Sequence, residues 1–522
     1  MDTTSNLPSF LSSLSGKDIP WILVSLIVAF VIVETVGTVV YNIYFHPLAK
    51  YPGPKYAAST ALAYWAVTAK GDILPWIQDI HNKYGEVVRI GPDWLSYTSP
   101  EAWRDIYGHR TAGKKANPKD ARHYTKDING RVGLNAIFDD EEHGRVRRIF
   151  AHAFSDKALK EQEPIFVRYV DKLVAAMRRS VDQEQDLVKL FTCTTFDIMG
   201  DLTFGEPLGL LDNAKYSPWV EATFGWIKAA DLSRVTIEYP LLGRVAGWLT
   251  PQSVLDQQKM HFQHSVDRVD RRLKLGSDQP DIWNLVLRQP EGRRLDIEDM
   301  YSHSSVFMIA GTETTATLLS GLMYFLCENP EKMKILCDEI RGSFASDAEL
   351  TIENLQKLRY MAACFEEGLR LYPPLPIGPP REAHPQGNII CGQWVPGKTR
   401  ISVAQYTAYR SPLNFRDPES FVPERWLPNT GYDSDKRDVL QPFSYGPRNC
   451  VGKKSVHSDI IYRSSVANVR DSLAYHEMRI ILAKVLWNFD VELHAGSDGW
   501  IDQKCYTLWQ KTPLWVTVKP VR

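Results

Sequence analysis

Paired cysteines, an excess of one charge and nucleotide-binding glycine loops are all missing from this 522-residue chain. Its seven cysteines (Cys193, Cys327, Cys337, Cys364, Cys391, Cys450 and Cys505) are odd in number and scattered, with no C-x-x-C. That argues against a disulfide framework or a zinc ribbon and favours a reducing compartment. Lys and Arg total 61 against 62 Asp and Glu, a net charge of −1, so no global basic field exists to hold nucleic acid. Neither G-x-G-x-x-G nor a Walker loop occurs, so the chain carries no recognisable nucleotide site of its own. Low-complexity linkers, repeats and long charge runs are also lacking. With 44% hydrophobic and 24% charged residues, the composition is that of a globular protein and excludes disorder or collagen-like structure.

What is present begins with an apolar run over 19–41, after a short segment 1–18. About 22 residues in a helix give roughly 33 Å, enough to cross a bilayer core. A signal peptide fits poorly, because the run lacks a basic segment before it and a small-x-small site after it. Glu34 lies toward one end of the run, where it can snorkel, and Lys50 and Lys55 place the downstream chain on the cytosolic side. A buried core helix is the competing reading. The prolines Pro47, Pro52 and Pro54 then stop the helix, so 42–55 reads as a stiff hinge.

From 56 to 522 one large domain is the economical reading. Apolar spacing predicts helices over 158–179, 284–286, 298–328, 330–344 and 352–372, and strand character is confined to 86–90, 94–97 and 514–518. The expected fold class is mainly α with a small β portion.

Three constellations carry chemistry. Residues 443–452 read F-S-Y-G-P-R-N-C-V-G: Gly446 and Pro447 force an irregular loop, and Gly452 allows close approach just past Cys450. A lone cysteine is usually a small core hydrophobe, yet this one is presented from a turn with Arg448 two residues earlier. Glu367 and Arg370 stand three apart on one helical face, ahead of Tyr372-Pro373-Pro374, and P-E-R recurs at Pro423-Glu424-Arg425. Alone, such a pair is an ordinary surface ion pair. Ala310-Gly311-Thr312-Glu313-Thr314-Thr315 interrupts an apolar helix, a costly placement of polar groups. A mid-helix threonine can also simply back-bond a carbonyl and bend the helix.

Together these stretches resemble the cytochrome P450 superfamily, whose motifs are F-x-x-G-x-R-x-C-x-G, E-x-x-R with P-E-R, and A-G-x-[DE]-T-T. The resemblance spans nearly the whole chain. It implies that Cys450 is the proximal thiolate on the iron of haem b, with Phe443 beside the sulfur, Gly452 closing the loop and Arg448 on a propionate. A thiolate ligand pushes electron density to iron and favours O–O cleavage. Glu367, Arg370 and Arg425 become a buried scaffold network. Gly311 leaves room over iron, while Glu313 and Thr314 relay protons to the site of dioxygen activation. His143 and Arg147, in a helix resembling W-x-x-x-R with His in place of Trp, and Arg381 become further propionate partners; each arginine has solvation as its rival reading. The cluster Arg145, Arg148 and Lys157 reads either as a docking face for a redox partner or as a solvated helix face.

One departure stands out. The family pattern C-x-G-x-x-L-A-x-x-E-x-R is interrupted by 18 extra residues, 454–471; excising them leaves C-V-G-K-S-L-A-Y-H-E-M-R. As continuous helix the insert would displace the remainder of the chain by about 27 Å, so it must loop out. Its 18 codons make 54 nucleotides, an intron-like length, and Ala467-Asn468 can be encoded by a branch-site-like GCTAAC. A translated intron and a genuine surface insertion, which loops tolerate at small entropic cost, both stand. Sequencing the transcript separates them.

The implied activity is a membrane-anchored haem-thiolate monooxygenase acting on a lipophilic small molecule. Electrons come from NADPH through a separate NADPH–cytochrome P450 reductase, with cytochrome b5 as an optional second donor. The stretches around 45–55 and 102–110 look most like microsomal enzymes of fungal secondary metabolism, which oxidise polyketides, terpenoids or alkaloids. That implies an endoplasmic reticulum location with the catalytic domain in the cytosol. A haem-thiolate isomerase or dehydratase, and a haem-poor silent product, are the rivals; NADPH dependence and haem content separate them. Pocket candidates are 115–138, 219–242, 310–315 and the stretch after Pro376, and an apolar or membrane-facing entrance is expected.

Overall fold

Three-to-four apolar spacing becomes helix along most of the chain in the computed structural model, which describes residues 19–109, 116–124, 126–275, 281–290, 294–453 and 472–522. The insert at 454–471 lies outside the described residues. Helix α1, Ile19–Val40, leads the chain; the window Trp21–Phe45 has a mean hydropathy of 2.5 and none of it is buried against the body. A bare apolar helix of this length is consistent with a membrane anchor. It runs on as a π-helical turn, Tyr41–Phe45, four residues into the segment read as hinge. Arg89 holds that turn to the body, donating to the Asn42 carbonyl at 2.7 Å.

Nine helices of the body position the site. These are α2 (Asp140–Ala151), α3 (Asp156–Arg179), α4 (Leu187–Phe204), α5 (Pro218–Ser233), α6 (Gln252–Lys274), α7 (Ile297–Glu328), α8 (Pro330–Ser343), α9 (Arg359–Leu371) and α10 (Leu473–Asn488). At 32 residues α7 is about 48 Å long. It is apolar enough to span a membrane, yet 72% of its apolar window is buried, so it is the core helix on which α4, α6 and α10 pack. Serine and aspartate caps start many of these helices: Asp139 accepts from Glu142 N at 2.7 Å, Asp296 from Asp299 N at 2.8 Å, and Ser472 from Tyr475 N at 3.4 Å.

Strands are short. A four-stranded sheet runs in spatial order Val87–Gly91, Trp94–Tyr97, Arg400–Val403 and Arg381–Glu382, its middle pair parallel and the rest antiparallel. Gln185–Asp186, Trp515–Pro520 and Phe489–Leu493 make a second sheet. A tight hairpin, Cys505–Tyr506 with Leu508–Trp509, reaches toward α5.

One predicted helix is divided. The periodicity over 352–372 reads as one element, but the structure has a single turn, Ile352–Leu355, and then α9. The carboxylate of Glu339 on α8 explains the break: it takes the N–H groups of Tyr360 and Met361 at 2.8 and 2.9 Å, capping a new helix start where Leu358 is extended. Acid at a helix N-terminus satisfies donors that have no partner inside the helix.

Candidate haem-thiolate site

The loop around Cys450 is bent by Gly446, whose φ of +75° favours glycine and whose missing side chain would sit 2.0 Å from the Tyr107 carbonyl oxygen. A short 3-10 turn, Gly446–Arg448, comes next, and Cys450 N then donates to the Phe443 carbonyl at 2.9 Å, closing the loop. At Gly452 a Cβ would lie 3.6 Å from Cys450 Sγ. Phe443 turns its ring to Tyr475 on α10, with centroids 5.6 Å apart, and Tyr475 in turn donates to Glu366 at 2.7 Å. Cys450 is a free cysteine. Burial of the surrounding site pushes its thiol up, while the Gly452 N–H and the Arg147 guanidinium pull the other way without cancelling that effect.

Helix α2 lies against this loop. Arg147 donates to the Asn449 carbonyl and side chain at 2.5 and 2.6 Å, and to the Cys450 carbonyl at 3.4 Å. Arg448 points back to the start of α2, donating to Asp140 at 2.6 Å and to the carbonyls of Ile137 and Phe138 at 2.6 and 2.8 Å. His143 is buried and held neutral, its proton affinity pushed down to about 3 by burial and by Arg448, Lys119 and Arg147. Arg381, also buried, lies over the Tyr107 ring; its Nε has no hydrogen-bond partner among the described residues.

Lys119 completes the group and escaped the sequence reading, which saw it only as part of a pocket segment. It bridges to Arg381 across an isolated β-contact, bonds the Asn135 carbonyl and sits 5.0 Å from the Tyr124 ring centroid. Burial, Arg381 and Arg448 push its ammonium down to about 6. No local motif marks such a lysine; only the fold brings it beside Arg381.

Lys119, His143, Arg147, Arg381 and Arg448 thus share one region, with Asp140 as an opposing carboxylate. The arginines hold down the proton affinities of Lys119 and His143 and leave a buried guanidinium Nε unpaired, which makes a donor set short of anions. A dianionic group such as a pair of haem propionates fits it.

Above lies α7. Val306, Ala310 and Thr314 occupy its open side, and Thr314 donates to the Ala310 carbonyl at 2.7 Å. Gly311, expected to leave room over iron, instead faces α4: an added Cβ would come within 2.6 Å of Met199 Cε. Its smallness serves close helix packing, and Ala310 is the small residue on the open side. Glu313 is buried and pairs with Lys511. Thr315 bonds to Glu477 on α10, whose carboxyl burial pushes up to about 8, so the neutral acid ties α7 to the helix after the cysteine loop.

Behind the loop, Glu367, Arg370 and Arg425 meet as the motif order implied, all fully buried. Glu367 takes Arg370 at 2.8 and 2.9 Å and Arg425 at 3.0 Å. A cavity of about 50 Å³ is lined by Ile377 and Leu375 but also by Arg122, Arg234, Arg400 and Glu238. Arg400 pairs with Glu238 at 2.5 Å and Asp93 at 3.0 Å, and Arg122 with Asp120 at 2.9 Å. Arg122 and Asp120 aside, the paired charges are far apart in sequence, so no periodicity announces them.

A cysteine loop under a long buried helix, ringed by unbalanced cations, defines a haem-thiolate protein. The chain belongs to the cytochrome P450 family, whose pattern it matches over residues 54–455. It is 50% identical to the cytochrome P450 monooxygenase FUM2 of Gibberella moniliformis over 92% of this chain and 100% of that protein. The cytochrome P450 monooxygenase AMT3 of Alternaria alternata is 44% identical over 92% and 95%. The averantin hydroxylase of Dothistroma septosporum is 39% identical over 93% and 89%. The chain is a cytochrome P450 monooxygenase, a class whose members carry a haem-thiolate centre.

Proposed function

We propose that the chain oxidises a lipophilic small molecule in fungal secondary metabolism. It would be anchored by α1 in the endoplasmic reticulum membrane and draw electrons from NADPH through a separate reductase, with cytochrome b5 as a second donor. The observation that carries the reading is the anion-deficient cluster of Lys119, His143, Arg147, Arg381 and Arg448 beside Cys450. Haem bound there supplies dioxygen chemistry at iron, with the thiolate favouring O–O cleavage. Arg147 holds the Cys450 loop, Arg381 and Lys119 are placed for the propionates, and neutral His143 offers an N–H donor. Thr314 holds its hydroxyl on the open side of α7, where a proton is needed, and Glu313 stands one residue before it. That acid–alcohol pair favours a monooxygenase over a peroxide isomerase, and NADPH-dependent turnover separates the two.

Membrane attachment has a second support. Leu241 and Val245, in the helix Pro240–Leu249, are 74% and 54% exposed, and Tyr239 just before it is 3.0 Å from Thr60 Oγ1, near the exit of the anchor. The similarity to fungal monooxygenases and to a fungal hydroxylase supports the secondary-metabolism assignment.

The test is the carbon-monoxide difference spectrum of the reduced, full-length protein in membranes. A strongly red-shifted Soret band is expected; a blue-shifted band or absent haem overturns the reading. The same spectrum without 454–471 shows whether that segment weakens haem binding.

A further inference from the structure

Among the described residues Lys228, on α5, has no carboxylate within ion-pairing distance. Its ammonium lies 3.3 Å from the amide oxygen of Gln510 and 4.2 Å from the centroid of the Tyr506 ring, both at the C-terminal hairpin. Asp231, three residues further along α5, is taken by Arg234 at 2.6 Å. Lys228 borders a cavity of about 280 Å³ enclosed by α4, α5, α7 and the hairpin. Glu313 is the one carboxylate among the described residues that line it, and Lys511 already pairs with that acid. Two ammonium groups therefore face one carboxylate, and the lining carries one unbalanced positive charge.

Much of the remaining wall is apolar. Phe224 and Ile227 share one face of α5 with Lys228 at helical spacing, and Val188 of α4 and Leu508 of the hairpin stand on other sides. The wall is also held in place: Arg234 donates to Thr507 Oγ1 at 3.0 Å, pinning the turn of the hairpin to the end of α5. At about 30 Å³ for a group the size of a water, the cavity takes roughly nine such groups. It is separate from the open side of α7. Successive residues on a helix are turned by about 100°, so Glu313 borders the cavity while Thr314 shares the open side with Ala310.

We propose that this cavity is a second binding site, for a medium-chain aliphatic carboxylate, and that Lys228 is the partner of the anion. The ammonium exchanges a neutral amide oxygen for a charge-assisted bond, which is the stronger of the two. The chain of the acid leaves water for the surface of Phe224, Ile227, Val188 and Leu508. Orientation follows from the charges: Glu313 repels a second anion at the α7 wall, so the carboxylate sits at Lys228 and the chain lies inward. One negative charge balances the lining, and the bound acid bridges α5 and the hairpin. Binding makes and breaks no covalent bond.

Calorimetric titration of the full-length holoenzyme in phospholipid nanodiscs tests this, with empty nanodiscs as the blank and clotrimazole on the haem iron to block the open side of α7. Octanoate is expected to bind once per chain without moving the Soret band of the clotrimazole complex. 1-Octanol, with the same chain and no charge, should bind about tenfold or more weaker. Lys228→Met should weaken octanoate about tenfold or more and leave octanol as in the wild type, whereas Lys228→Arg should hold octanoate within about threefold. Ile227→Trp, which fills the cavity, should abolish binding of both. Each variant should keep the red-shifted carbon-monoxide band when free of clotrimazole. Octanol binding as tightly as octanoate overturns the proposal, as does an unchanged octanoate affinity in Lys228→Met. Octanoate that binds only after clotrimazole is removed overturns it too, because that places the acid beside the haem. So does loss of the carbon-monoxide band in Lys228→Met, which would make Lys228 part of the scaffold.

Discussion

Glu367 receives five hydrogen bonds while fully buried: two from Arg370, one from Arg425, one from Trp426 Nε1 at 2.9 Å and one from Val422 N at 2.8 Å. Burial alone pushes its carboxyl up, but Arg370 and then Arg425 outweigh it and hold the group below the usual carboxylate range. A depressed acid contributes stability that is fully present above its unfolded pKa, about 4.3, and is lost as pH falls through the folded value. Glu367→Gln leaves two arginines partly unpaired in the core and should cost about 3–5 kcal/mol. Urea unfolding from pH 7 down to pH 3 should show this loss, together with a flatter acid limb than in the wild type. E-x-x-R and P-E-R were legible in the sequence because their spacing is local; Trp426 and Asp435, which receives Arg425 at 2.5 Å, were not, because nothing in the sequence shows that they face the network.

At the scale of elements, backbone conformation and neighbouring side chains decide where segments begin and bend. The Gly446 turn sets the direction of the cysteine loop, so Gly446→Ala, strained at φ +75° and colliding with the Tyr107 carbonyl, should remove most of the red-shifted carbon-monoxide band. Far-UV circular dichroism should stay near that of the wild type. Helix α9 begins where Glu339 caps it, and Glu339→Ala should destabilise the fold by about 1–2 kcal/mol, read as a lower denaturation midpoint. Gly311 belongs here too: its absent side chain admits Met199 between α7 and α4, and Gly311→Ala should cost about 1–3 kcal/mol by overpacking, measurable in the same unfolding experiment.

For the molecule as a whole, α1 and the exposed apolar residues of the helix Pro240–Leu249 offer two separate contacts to a bilayer. Removing residues 1–41 should release only part of the protein from membranes. Adding Leu241→Ser and Val245→Ser should move most of the remainder to the soluble fraction, scored by flotation on liposomes at moderate salt. Little loss of binding after both changes would show that the bilayer does not hold this face.

By itself the sequence determined the class of this protein, because its strongest signals are local: an apolar run long enough to span, a glycine-bent loop presenting Cys450, and A-G-T-E-T-T on one helix. Each depends on spacing within a few residues, which the chain carries in plain view. Tertiary structure alone decided which distant groups share a site. It placed Lys119 beside Arg381, sank Lys511 onto Glu313, turned Gly311 toward Met199, cut the 352–372 periodicity in two with a carboxylate from α8, and paired Arg400 with both Glu238 and Asp93. Those outcomes arise from desolvation and charge balance among residues tens to hundreds of positions apart, and such energies exist only once the chain has packed.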